Sequence, residues 1–144
     1  MRPHDHKALV AEFNSAVNAH ELDRLNDIVA ETFARHSQAT PDVSVRSLAE
    51  FKSFLIANRA TFPDERIILA TLVAEDDRVA FWGSYAGTQV GPMGPFPPSG
   101  RRMEIDISGM FRIQADQIAE LWITWDNVAA LVQTGHFPPA SSQP

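Results

Sequence analysis

The spacing of hydrophobic positions changes once along this chain, near Pro63. Before it the spacing is helical. Residues 6–19 carry Leu9, Val10, Phe13 and Val17 about one turn apart, and residues 22–34 carry Leu22, Leu25, Ile28, Val29 and Phe33 in the same way. The short His20-Glu21 link between them predicts an antiparallel helix pair. Ser47 reads as the N-cap of a third helix bearing Leu48, Phe51, Phe54 and Leu55, which Phe62-Pro63 ends because a residue before proline is pushed out of the α region. After Pro63 the pattern is strand-like. Apolar residues fill 65–75, 78–90, 101–113 and 117–126, with turns at Glu75-Asp76-Asp77, at Ala115-Asp116 and across the proline-rich stretch 91–100. A short helix over 127–134 follows, and a frayed tail is expected after Gly135.

Helices first and strands after predict an α+β fold rather than a βαβ one: three N-terminal helices on a curved, mainly antiparallel sheet. Such a sheet coils around its helices and leaves a hollow at the wider end, where a ligand would sit. The 91–100 loop reads either as a lid or interface element or as a surface loop without a task. The length of 144 residues predicts a single domain over 1–144 with an ordered core of about 6–136.

Composition narrows the function. With 44% hydrophobic and 21% charged residues the chain has material for a core. It has no cysteine, which removes thiolate chemistry and disulfides. A net charge of −6 argues against nucleic-acid binding, and no apolar run suits a bilayer span. The N-terminus lacks a signal-like apolar segment, so the cytoplasm is the expected compartment.

The chemistry-bearing stretch is Glu120-Leu121-Trp122-Ile123-Thr124-Trp125-Asp126. On a strand Glu120, Trp122, Thr124 and Asp126 share one face, and Leu121, Ile123 and Trp125 the other. A carboxylate at the strand end among aromatic groups suits proton transfer, since apolar surroundings disfavour the charged form. Asp126 equally suits the N-cap of the following helix, and both readings stand at this point. Of the five histidines, His4, His6 and His136 lie near the termini and are expected to be solvated, and His20 in its link to be exposed. His36 reads as a structural histidine or as a proton carrier at the hollow. The histidine spacings indicate no metal site. No glycine-rich nucleotide loop and no nucleophile elbow occur.

Several ordered strings resemble the SnoaL-like polyketide cyclases of the nuclear-transport-factor-like superfamily, over about 9–135. These are Glu21-Leu22-Asp23 with Phe33-Ala34-Arg35-His36, then Phe62-Pro63-Asp64 and Glu75-Asp76-Asp77-Arg78-Val79-Ala80. Gly87-Thr88-Gln89-Val90-Gly91, Pro97-Pro98-Ser99-Gly100-Arg101, Glu120-x-Trp122-x-x-x-Asp126 and Gln133-Thr134-Gly135 complete the set. Two positions depart from the family: Gln89 stands where many relatives have histidine, and Trp82 where relatives often have arginine. The resemblance implies a cone-shaped α+β barrel, no cofactor, and a homodimer or higher oligomer in which Trp82 would be covered by a partner subunit. It also implies intramolecular aldol-type ring closure of a polyketide or similar small hydrophobic or aromatic ketone. Asp126 and His36 would be catalytic, and Trp122, Gln89, Tyr85, Phe33 and Phe111 would contact the substrate. Isomerase, dehydratase and epoxide hydrolase activity, or a non-catalytic binding module, are the alternatives within the same superfamily.

Overall fold

A computed structural model describes residues 3–138, so the tail over 139–144 and the side chain of His4 lie outside the described residues. The order of elements is α1 (Pro3–Ala19), a single 3-10 turn (Leu22–Arg24), α2 (Leu25–Ile28), β1 (Val29–His36), α3 (Leu48–Thr61), β2 (Arg66–Glu75), β3 (Arg78–Thr88), β4 (Arg102–Gln114), β5 (Gln117–Trp125) and α4 (Asn127–Thr134). The fold is α+β, as expected, and its sheet is five-stranded and open, in the order β1-β5-β4-β3-β2. Strands β2 to β5 form the antiparallel meander that the turn spacing predicts.

The expected second helix is the main correction. Residues 22–34 form only four residues of α-helix before the chain becomes β1, which joins the sheet parallel to β5. Leu25, Ile28 and Val29 are buried at the helix end, and Phe33 and Arg35 then alternate inward along the strand. A register shift between Val29 and Ala34 lets one apolar series serve both periods. The sheet is therefore mixed, and α1 has no antiparallel helix beside it in sequence.

The third helix matches its prediction. Ser47 Oγ accepts from the Glu50 amide at 3.1 Å, and Phe62 ends the helix. Cross-strand partners define the two faces of the sheet. Val79, Phe111 and Leu121 lie on one, and Phe13 of α1 packs edge-on to Phe111 with ring centroids 5.3 Å apart. Ala80, Met110 and Trp122 lie on the other, outer face. Phe33, Phe51, Phe13, Phe111 and Phe81 form a chain of touching rings through the core. Gly109 lets β4 and β5 approach closely, since a Cβ there would lie 1.9 Å from the Trp122 carbonyl oxygen.

The β4–β5 turn is tight, as expected, but costly. Ala115 and Asp116 both have positive φ, at 51° and 62°, the geometry of a type I′ turn that favours asparagine and glycine. Alanine in this region costs roughly 1–2 kcal/mol. Ala115→Asn should therefore stabilise the protein by about 0.5–1 kcal/mol, read as a higher urea midpoint with unchanged slope.

Candidate active site

The residues singled out in the sequence fall on opposite faces of the sheet. Phe33 and Phe111 are sealed in the core at 0% and 2% exposure, where they pack against other phenyl rings. Tyr85 also faces the helices, and its hydroxyl donates to Glu65 and accepts from Asn58 Nδ2 at 2.9 Å. Burial, and then the neighbouring Glu65 carboxylate, push the Tyr85 hydroxyl pKa upward. Glu65 is itself buried and receives Arg59 Nε at 3.1 Å, so this network ties β3 to α3.

Gln89 is completely buried and spends its amide on the proline-rich loop. Nε2 donates to the carbonyls of Gly91 and Pro97, while Oε1 accepts from Ser99 Oγ and from His136 Nε2 at 2.8 Å. His136 is thus half-buried and bonded rather than solvated, and it tilts against Phe96. His6 is likewise buried, on the inner side of α1, and His20 is half-buried at the helix end. Position along the chain misjudged these histidines, because α1 and the residues after α4 pack onto the domain.

Trp122, Thr124 and His36 lie around the outer face and edge of β5. The parallel pairing of β1 with β5 ends at His36↔Trp122, so Ile123 to Trp125 extend beyond it. The segment after β1 passes this edge, where Asn127 Nδ2 donates to the Ala39 carbonyl at 2.7 Å. Between them lies a groove of about 730 Å³ whose walls include Arg35, His36, Ser37, Val43, Met110 and Trp122. A second hollow of about 580 Å³, next to Trp82 and Asp126, shares Ser108 and Thr124 with it.

His36, on the groove wall, is hydrogen-bonded to a carboxylate that does not itself line the groove. His36 Nε2 lies 2.6 Å from Glu120 Oε2, the imidazole stacks on Trp122, and Arg112 Nε donates to Glu120 Oε1 at 2.9 Å. Partial burial raises the Glu120 pKa, but the hydrogen bonds from Arg112 and His36 outweigh it and hold the carboxyl below the ordinary glutamate range. An ionised carboxylate only accepts, so Nε2 must carry the hydrogen. In neutral His36 this leaves Nδ1 as the free acceptor. Strand parity placed Glu120 on the face of Trp122, but the pairing with His36 depends on β1, which had been read as helix.

Asp126 is the N-cap of α4: Oδ1 accepts from the amides of Val128 and Ala129 at 2.9 and 3.2 Å. Its side chain is exposed, and Oδ2 takes no part in the cap. The structure joins His36 with Trp122, sets Asp126 in the neighbouring hollow, and separates all three from Tyr85, Gln89, Phe33 and Phe111.

A coiled α+β sheet with helices on one face and an open groove at its edge defines a domain of the nuclear-transport-factor-like class. The chain belongs to the SnoaL-like polyketide cyclase family, whose model matches residues 8–134. IdmH from Streptomyces antibioticus, provisionally described as a polyketide cyclase, is 26% identical with a TM-score of 0.79, over 90% of this chain and 98% of its own. AclR from Streptomyces galilaeus, provisionally described as a hydroxylase, is 24% identical with a TM-score of 0.79, over 95% and 100%. A protein of Jannaschia sp. CCS1, provisionally described as a SnoaL-like polyketide cyclase, has a TM-score of 0.83 at 17% identity, over 94% and 95%. No curated protein matches the chain. Among the described residues no helix is long and apolar enough to cross a membrane.

Because its pKa is lowered on folding, Glu120 contributes stability that is present above its unfolded value, about 4.3, and lost as pH falls through the folded one. Glu120→Gln should flatten the acid limb of a stability–pH profile. Urea titrations from pH 6 to pH 3 check this, the wild type losing more stability than the variant over that range.

Proposed function

We propose that this protein is a cofactor-independent cyclase that closes a ring in a polyketide or related hydrophobic ketone by acid/base chemistry. The observation that carries the reading is neutral His36, hydrogen-bonded through Nε2 to Glu120 and with Nδ1 free, beside a groove with an aromatic and aliphatic wall. Nδ1 removes a proton from a carbon flanked by carbonyls. The carbanion attacks a second carbonyl of the same molecule, a carbon–carbon bond forms, and the imidazolium returns the proton to the new alkoxide. The ends are held together by the protein, so positioning supplies much of the rate. Glu120, locked by Arg112, stabilises the imidazolium at the moment it forms.

Asp126 offers a second acceptor, Oδ2, four strand residues from Trp122, or roughly 13 Å. That separation suits a long substrate with an acidic carbon at each end rather than one bond served by both groups. The provisional description of IdmH as a cyclase supports the same reaction class.

The test is a panel of cyclisable poly-β-ketones followed by NMR for the new carbon–carbon bond. His36→Gln should lower turnover by roughly 10²–10⁴-fold. Asp126→Asn should lower it at least tenfold on long substrates with the melting temperature unchanged, because asparagine caps a helix as well as aspartate does. Full turnover in either variant removes that residue from the mechanism.

We also infer a homodimer formed through the outer face, where Ile68, Val73 and the 56%-exposed Trp82 stand together. Burying Trp82 in this way would roof the hollow beside Asp126. Sedimentation should show a dimer that Trp82→Glu converts to monomer; a monomeric wild type rules the dimer out.

A further inference from the structure

Among the described residues Arg35 is a buried arginine whose surroundings leave it incomplete. It follows Phe33 on the inward side of β1 and is 7% exposed. Its guanidinium lies 4.4 Å from the centre of the Phe54 ring and 5.8 Å from that of Trp125. The rings attract the cation but take none of its N–H bonds in the plane. Its one hydrogen bond runs from Nη1 to Thr40 Oγ1, at a long 3.4 Å. Among the described residues no carboxylate pairs with it. A buried charge without a counter-ion is costly. Burial alone brings the guanidinium pKa down to about 10, which still leaves it charged at neutral pH.

The remaining donors are not sealed away. Among the described residues, the buried side-chain atoms without any partner are His6 Nδ1 and Ser37 Oγ, so the unpaired Nε and Nη2 of Arg35 keep a small solvent contact. Arg35 and Ser37 both line the 730 Å³ groove. The chain carries a net charge of −6, yet the walls of this groove hold two arginines, Arg35 and Arg46, and a histidine, with no carboxylate. The rest of the groove is neutral, and its apolar side is Val43, Met110, Trp122 and Ile123.

We propose that Arg35 anchors the carboxylate of a hydrophobic, conjugated acid whose apolar body lies along Trp122. The guanidinium fork matches a carboxylate in two parallel hydrogen bonds, and the ligand supplies the counter-ion that the protein withholds. The inference rests on the reading of this groove as the substrate site and narrows its substrate class to acids.

The probe is 2-naphthoate, compared with its neutral isostere 2-naphthamide by isothermal titration calorimetry. The wild type should bind the naphthoate at least tenfold more tightly. Arg35→Gln should bring the two within twofold, while Arg35→Lys keeps part of the preference and Arg46→Gln most of it. If Arg35→Gln does not fold, the Arg35 Nε–H resonance of the wild type decides: it should shift on adding naphthoate and not on adding naphthamide. Equal binding of the two probes, no binding, or an unmoved resonance overturns the anchor. These measurements need no turnover. Arg35-dependent naphthoate binding by a protein that cyclises no ketone leaves the anchor standing and sinks the cyclase. Cyclisation that ignores both the substrate carboxylate and Arg35 sinks the anchor alone.

Discussion

The parallel pairing of β1 with β5, stopping at His36↔Trp122, is the constraint on which the site depends. Parallel strands in register place side chains of neighbouring positions on common faces. His36 is thereby delivered to the face of Glu120 and Trp122, and Arg35 to the opposite one, toward Phe54 and Trp125. Because the pairing stops early, β5 keeps a free edge, and the segment after β1 bridges it to form a groove instead of continuing the sheet. Two adjacent residues, Arg35 and His36, thus line one groove although their side chains start from opposite faces of the sheet.

The two faces of the sheet are used differently. On the helix side, polar groups are consumed by the architecture: Tyr85, Glu65, Asn58 and Arg59 satisfy one another, and Gln89 holds the proline-rich loop closed. Buried polar groups that are fully paired rigidify a core and have no valence left for a ligand. Arg35 on the inward side of β1, and His36 and Asp126 on the other side, each keep an unused donor or acceptor. Unspent hydrogen-bonding capacity beside open space, rather than the presence of polar residues, separates a candidate site from a structural network.

Much of the candidate chemistry was legible along the chain. Strand parity put Glu120, Trp122, Thr124 and Asp126 together, and the meander and the Ser47 cap followed from period and capping chemistry. Both readings of Asp126 came from its place before a helix; the cap is realised in Oδ1, and the proton-transfer reading now concerns Oδ2. Phe33 and Phe111 resembled pocket aromatics, but large rings in mid-strand are most often core, and here both are sealed. Arg35 carried no signal, since an arginine after an alanine on a strand is ordinary until its lack of a partner is visible.

The sequence by itself determined the α+β class, the four-strand meander, the ends of α3 and α4, and the family, because turn chemistry, caps and period are local properties read within a few residues. Only the tertiary structure decided that residues 29–36 form a strand rather than a helix: the spacing of Val29 and Phe33 fits both, and the choice lies in backbone hydrogen bonds to β5, some ninety residues away. Which face each candidate occupies, and which polar atoms remain unpaired, followed from that same long-range pairing, since no local pattern records what a side chain meets across the sheet.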